Sequence, residues 1–234
     1  MSGKLFGVGV GPGDPELVTR KAWRLIEGAR VVAYPMPDTG ESFARSIVAG
    51  AIRADATEIP MIVPMRTGRF PAQDIYEDAA ARIAVHLDAG ENVVVLCEGD
   101  PFFYGSFMYV FARLSARHPC EIVPGVSSVM AVASALQRPI AGRNDVLTVI
   151  PATLDEAEIE RRIEGADAVA IMKLGRHMGK VRTVIERMRL ADRTGYAAHV
   201  SLEGEQLCPL REAPDHPPYF SMLLLYKGSD PWLR

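Results

Sequence analysis

The sequence predicts an α/β protein of two domains, the first built on a mainly parallel sheet and the second on a mixed one. Three observations lead there. Two turns rich in glycine and acid each follow an apolar run: Gly7-Val8-Gly9-Val10-Gly11-Pro12-Gly13-Asp14-Pro15, and Glu98-Gly99-Asp100-Pro101-Phe102-Phe103-Tyr104-Gly105-Ser106 after Val93-Val94-Val95-Leu96-Cys97. Apolar strands alternate with helical periodicities through the first half, and their short crossovers imply parallel strands covered on both faces. At Pro139 the texture changes, and the polar, turn-rich stretch to Asp145 reads as a linker. A chain of 234 residues suits two domains, expected at 1–140 and 141–234.

The elements follow in order. Both glycine turns read as strand, tight turn, then helix, with Asp14 or Asp100 at the cap and proline in the first helical position, where a missing N–H costs nothing. Val18, Ala22, Leu25, Ile26 and Ala29 lie on one helical face, ended at Gly28-Ala29. Val31 to Tyr34 is a buried strand stopped by Pro35 and Pro37, and Thr57 to Val63 is a strand whose Pro60 puts it at an edge or bulge. Ile75, Ala79, Ile83 and Leu87 recur every four residues, Gly90 is a C-cap, and the strand Asn92 to Cys97 follows. Glu121-Ile122-Val123 is a strand, Pro124-Gly125 a break, and Val126 to Leu136 a helix. Beyond the linker, strands are expected at Val146–Ile150, Ala168–Met172, Tyr196–Val200 and Met222–Tyr226, with helices near Leu154–Ile163 and Val181–Met188.

Composition narrows the function. Apolar residues make up 48% and charged residues 24%, enough for a sizeable core, and the net charge of −3 comes without the clustered basic face that a nucleic-acid partner requires. Three cysteines, Cys97, Cys120 and Cys208, are far apart and form no CxxC pair, so neither a disulfide framework nor a metal site is expected. No secretory pattern opens the chain and no apolar stretch reaches the ~20 residues of a membrane helix. A cytoplasmic protein with no membrane partner is the expectation.

The first loop is not a dinucleotide fingerprint, because the third glycine of G-x-G-x-x-G falls on Asp14, whose carboxylate would repel a diphosphate. No Gly-Lys-Ser/Thr follows, so it is not a phosphate-binding Walker loop either. Taken alone, Asp14 and Asp100 are equally well read as helix caps or as ligand contacts, and Phe102, Phe103, Tyr104, Phe107 and Tyr109 as core or as the wall of an aromatic-binding site.

Gly9 to Thr19, the Glu98–Ser106 turn, the Ser127-Ser128 pair, and Met172-Lys173 within Ala170–Gly175 together resemble the S-adenosylmethionine-dependent tetrapyrrole methyltransferases, in that order and through most of the chain. The Asp-Pro-Phe-Phe-Tyr-Gly-Ser form of the second turn is most similar to the branch that methylates precorrin-2 at C20 in cobalamin synthesis. Uroporphyrinogen enzymes tend to carry Gly-Gly-Asp-Pro, whereas Glu98 precedes Gly99 here.

The resemblance implies a ligand cleft between the two domains. It assigns Glu98, Gly99, Asp100, Ser127, Ser128, Met172, Lys173, Ser221 and Met222 to S-adenosylmethionine, leaving S-adenosylhomocysteine as product. Gly11, Pro12, Gly13 and Asp14 fall to the tetrapyrrole. It further implies a homodimer. The substrate's acetates and propionates call for guanidinium groups, and Arg66, Arg69, Arg143 and Arg176 are the candidates, each also readable as surface charge. Methyl transfer to an electron-rich macrocycle needs positioning, desolvation and no metal. A base must remove the proton from the methylated carbon: Glu98, Asp100, Tyr104 and His177 lie in or near the motifs, and Tyr104, with Asp100 or water, is the expected choice. The alternatives are a cobalt-precorrin-2 enzyme, another tetrapyrrole methyltransferase, or a non-catalytic module that binds a nucleotide-like ligand.

Overall fold

The computed structural model describes residues 2–63 and 72–228. The chain divides into two compact units, Met1–Ser127 and Ser128–Arg234.

The first unit holds five strands: β1 (Leu5–Gly9), β2 (Val31–Pro37), β3 (Thr57–Val63), β4 (Val93–Cys97) and β5 (Cys120–Val123). All pair in parallel, in the order β3-β2-β4-β1-β5. From β1 the chain runs to one edge through β2 and β3, then returns with β4 and β5 to close around β1. The carboxyl ends of β1, β4 and β5 thus meet at a reversal of strand order, the place where open α/β sheets carry ligands.

Four helices cover this sheet: α1 (Arg20–Glu27), α2 (Phe43–Ile47), α3 (Ala72–Asp88) and α4 (Phe107–Leu114). Alternate residues of β4 face opposite ways, so Val93, Val95 and Cys97 pack with Ala79, Ile83 and Leu87 of α3 and Phe107 of α4. Val94 and Leu96 pack with Ala22 and Ile26 of α1 and Ala44 and Ile47 of α2. Burial on both faces is why β4 is an unbroken apolar run. Gly90, at φ +85°, caps α3 by donating its N–H to the Leu87 carbonyl at 3.0 Å.

Prolines behave according to their ladders. Pro60 lies on β3, the edge strand, as expected. Pro35 and Pro37 do not stop β2, which continues to Pro37: beyond Ala33 it pairs with β3 alone. Beyond Ala33 the β4 side of β2 has no ladder, so a missing N–H on that side breaks no bond.

The second unit contains α5 (Ser128–Ala135), β6 (Leu147–Pro151), α6 (Glu156–Glu164), β7 (Ala168–Met172), α7 (Met178–Arg187), β8 (Thr194–Ala198), β9 (Gln206–Pro209) and β10 (Ser221–Tyr226). Its sheet runs β6-β7-β10-β8-β9, parallel only between β6 and β7 and therefore mixed, as expected. Ile150, Val169, Ile171, Tyr196, Leu223 and Leu225 form one core face with Ile159 and Ile163 of α6 and Val181 and Ile185 of α7.

Three details differ from expectation. The division between units falls at Ser127–Ser128 rather than at 140/141, because α5 packs on β10 and Leu136 lies against Gly195 of β8. The stretch from Pro139 to Asp145 consequently lies inside the second unit, where Tyr226 donates its hydroxyl to Asp145 at 2.7 Å. Finally, β8 ends at Ala198 instead of Val200, since His199 (φ +51°) and Ser201 (φ +68°) leave the extended region. Among the described residues no helix is long and apolar enough to cross a membrane.

Candidate functional site

Three turns of the first unit come together, one after each of β1, β4 and β5. The first two are joined by reciprocal backbone hydrogen bonds: Gly99 N–H donates to the Gly11 carbonyl at 2.8 Å, and Gly11 N–H to the Gly99 carbonyl at 3.3 Å. Val10 N–H adds a bond to the Cys97 carbonyl at 2.9 Å. The two glycine-and-acid motifs are therefore one piece of backbone.

Close approach extends this junction to the third turn. A Cβ on Gly9 would lie 2.6 Å from both the Gly99 carbonyl oxygen and the Gly125 nitrogen, and a Cβ on Gly125 would overlap the Gly99 carbonyl. Only glycine fits at these two positions.

The acids have roles that local sequence only half conveys. Asp14 does cap, accepting Glu16 N–H at 2.8 Å with Pro15 in the first position, but what it caps is a single 3-10 turn, Pro15–Leu17. The longer α1 starts later under its own cap, Thr19, which accepts Ala22 N–H at 3.2 Å. Asp100 caps no helix at all. Its Oδ1 accepts Phe102 N–H at 2.9 Å and its Oδ2 accepts Gly125 N–H at 3.1 Å, while α4 begins at Phe107 behind Ser106. The Pro101–Gly105 segment folds tightly beneath its own carbonyls, since a Cβ on Gly105 would lie 2.6 Å from the Pro101 oxygen.

Glu98 ends β4 on the α2 side. Its carboxyl is pushed up by burial, although part of the residue's surface stays open; the backbone N–H groups of Glu98 itself and of Ala44 pull the other way. Burial likewise pushes up the neighbouring Cys97 thiol, which makes it a packed core group and not a nucleophile.

The aromatic residues divide between the two expected readings. Phe107 is fully buried, its ring where a side chain on Gly7 would otherwise go. Phe102, Tyr104 and Tyr109 remain 47%, 45% and 49% exposed, too open for core. Tyr104 holds φ +58°, a left-handed conformation that costs a tyrosine about 1–2 kcal/mol, and its ring meets Phe103 edge-on at 5.2 Å. Strain of this kind at an exposed aromatic makes Tyr104 a candidate functional residue.

In the second unit, Met172 and Met222 are register partners across β7 and β10. Lys173 follows at φ +61°, and Ser221 is buried with its hydroxyl donating to the Pro218 carbonyl at 2.7 Å. Ser127 closes the first unit and Ser128 opens α5. Arg143 and Arg176 are both exposed. His177, beside Arg176, is pushed down by burial and then by the Lys180 and Arg176 cations. Arg66 and Arg69 lie outside the described residues. Among the described residues no three or more His, Cys, Asp or Glu side chains are grouped to hold a metal.

Sequence reasoning did not assign a partner to Gly125 or Gly9. The available signal was glycine at the end of each of two apolar strands, but what those glycines approach depends on strand order.

The chain is similar to known proteins over most of its length. A cobalamin biosynthesis protein CobIJ of Mycobacterium tuberculosis is 42% identical over 235 residues, covering 97% of this chain and 46% of its own length, so the chain spans about half of that relative. A precorrin-2 C(20)-methyltransferase of a Sinorhizobium species is 38% identical, with 95% of each chain covered. A cobalt-precorrin-2 C(20)-methyltransferase of Salmonella typhimurium is 29% identical over 97% of this chain and 98% of its own. Among solved structures, the uroporphyrin-III C-methyltransferase of Thermus thermophilus, complexed with S-adenosylhomocysteine, superposes with a TM-score of 0.67 at 23% identity, covering 95% of this chain and 97% of that one, and so shares the fold. Residues 4–214, nearly the whole described chain, match the family model of the tetrapyrrole (corrin/porphyrin) methylases, and the chain belongs to that family.

Proposed function

We propose that this protein transfers a methyl group from S-adenosylmethionine to C20 of precorrin-2, giving precorrin-3A in cobalamin synthesis. The observation that carries the reading is the junction of the two signature turns through Gly11 and Gly99, within a chain alike end to end to a precorrin-2 C(20)-methyltransferase.

The residues suit the donor chemically. Its ammonium, ribose hydroxyls and sulfonium call for carboxylates, carbonyls and hydroxyls, which Glu98, Gly99 and Ser127 supply in the first unit, the first two from the turn that also carries Asp100. Ser128, Met172, Lys173, Ser221 and Met222 are the proposed donor contacts of the second. Gly11, Pro12, Gly13 and Asp14 are proposed to meet the tetrapyrrole, with Arg143 and Arg176 of the described arginines pairing with its carboxylates.

The donor supplies an electrophilic methyl on a good leaving group, and the macrocycle supplies the nucleophilic carbon. The C20–CH3 bond forms as the S–CH3 bond breaks, S-adenosylhomocysteine leaves, and the C20 proton passes to water. The protein's part is in-line placement and exclusion of bulk water. Tyr104, presented by its left-handed backbone, is proposed to orient the water that takes the proton, and the exposed rings of Phe102 and Tyr109 to face the macrocycle.

Incubation with 13C-methyl-labelled donor and enzymatically made precorrin-2, followed by NMR, tests this. The expected product carries the label on the C20 meso carbon. Label on a pyrrole-derived carbon overturns the assignment, and absence of donor binding at millimolar concentration overturns the enzyme. The Salmonella relative supports a second reading, cobalt-precorrin-2 as substrate, and turnover confined to the cobalt complex selects it.

A further inference from the structure

We infer that Asp100 is a positioning residue that clamps the turn after β4 to the turn after β5 and so sets the place of Ser127, instead of holding the methyl donor through its own carboxylate. The inference rests on the proposed function for what is being positioned. Its grounds lie in the first unit alone.

β4 and β5 are not neighbours. β1 lies between them and ends at Gly9. The Asp100 carboxylate reaches Gly125 N–H at 3.1 Å past this position, where any side chain would lie 2.6 Å from the Gly125 nitrogen and the Gly99 oxygen. Its other oxygen accepts Phe102 N–H at 2.9 Å, so each carboxylate oxygen holds one backbone donor on a different turn. Neither Gly9 nor Gly125 can carry a Cβ here, so neither brings a side chain of its own into the junction. Two residues after Gly125 comes Ser127, the donor contact proposed above. A carboxylate accepting two N–H groups makes charge-assisted bonds, about twice as strong as neutral ones, and can fix a loop that has no helix or strand ladder of its own.

Asparagine cannot substitute. Its single acceptor oxygen satisfies one turn and turns an NH2 group toward the N–H of the other, so the Gly125 end or the Phe102 end is released. For Asp100→Asn, binding of S-adenosylhomocysteine is expected to weaken by roughly tenfold, the equivalent of one lost hydrogen bond.

A double-mutant cycle on the full chain separates positioning from direct contact. Calorimetry with S-adenosylhomocysteine is run on the wild type, Asp100→Asn, Ser127→Ala and the double variant. If Asp100 acts through the Gly125–Ser127 segment, the double variant binds about as well as Asp100→Asn alone. Additive losses in the two variants overturn the inference. Hydrogen exchange of the wild-type Gly125 amide gives a readout that needs no variant to fold: slow exchange without ligand is expected, and exchange at the rate of an open loop overturns the clamp. A wild type that fails to bind S-adenosylhomocysteine removes the methyltransferase reading instead, and the Gly125 amide then decides the clamp by itself.

Discussion

The turns at strand ends are built differently in the two units. After β1 and β4, the left-handed positions Gly11 (φ +78°) and Gly99 (φ +62°) are glycines, and backbone packs on backbone with no room for a Cβ at Gly9 or Gly125. After β7 and β8, Lys173 (φ +61°), His199 (φ +51°) and Ser201 (φ +68°) take the same left-handed conformation while keeping their side chains. The first arrangement pays no conformational penalty but admits no side chain at Gly9 or Gly125. The second accepts a penalty on the order of 1 kcal/mol at each such residue and keeps chemically useful groups at the turn. Among the described residues of the first unit Tyr104 is the exception, a strained non-glycine set among glycines, which supports the role proposed for it.

Gly125→Ala should break the comparison hardest. The new methyl overlaps the Gly99 carbonyl, so the junction must open, at a cost on the order of 4 kcal/mol. Urea unfolding measures it, and an unchanged midpoint would show that the glycine contact is loose. Gly175→Ala in the second unit, where nothing lies within 4 Å, provides the contrast, with only the strain of φ +36° to show.

Tyr104→Phe keeps the ring and the backbone and removes the hydroxyl. If the strained residue serves the reaction, turnover falls about a hundredfold with the unfolding midpoint unmoved. Equal turnover would place Tyr104 with His199 as a strained but non-catalytic turn residue.

Glu98 adds a pH-dependent term to the first unit. Burial raises its carboxyl, so the folded state binds the proton more tightly than the unfolded chain does. Its stabilising contribution is complete below the ordinary carboxyl value of 4.5 and is lost as pH rises through the raised one. Glu98→Gln is neutral throughout, so its thermal midpoint should gain on the wild type as pH goes from about 4 to about 8. A constant gap between the two would contradict the burial of that carboxyl.

His199→Gly carries the smallest expected effect. Removing the side chain relieves the left-handed strain, partly offset by the greater freedom of glycine when unfolded, for a net gain of at most about 1 kcal/mol. Differential scanning calorimetry resolves a shift of that size, and a loss of stability would mean the imidazole makes contacts worth more than the strain.

Legibility from sequence tracked the range of the forces involved. β4 is an unbroken apolar run because both its faces are covered, and α3 is evident from Ala79, Ile83 and Leu87 because one stripe faces the sheet. β9 has no such signature: Gln206-Leu207-Cys208-Pro209 is mostly exposed, pairs on one side only, and is held by β8. α2 is only five residues, set by the Ser42 cap accepting Arg45 N–H at 3.2 Å and by packing of Ala44 and Ile47. Pro35 misled because the sequence does not say which side of β2 lacks a partner. Of the candidate site, the glycine turns and the resemblance they carry were legible, and Asp100 was legible as a cap or a ligand contact, but not as the link to Gly125.

The sequence by itself determined the alternation of strand, turn and helix in the first unit, the mixed sheet in the second, and the glycines at Gly9, Gly11 and Gly99, since backbone conformation and burial periodicity are local properties. Tertiary structure decided which turns touch. Phe102 N–H was always within reach of Asp100, two residues away, whereas Gly125 comes within 3.1 Å only because the strand order β4-β1-β5 folds β1 between them and ends it in a glycine. A hydrogen bond across that sequence distance is specified by the packing of the whole sheet, and no window of residues along the chain contains it.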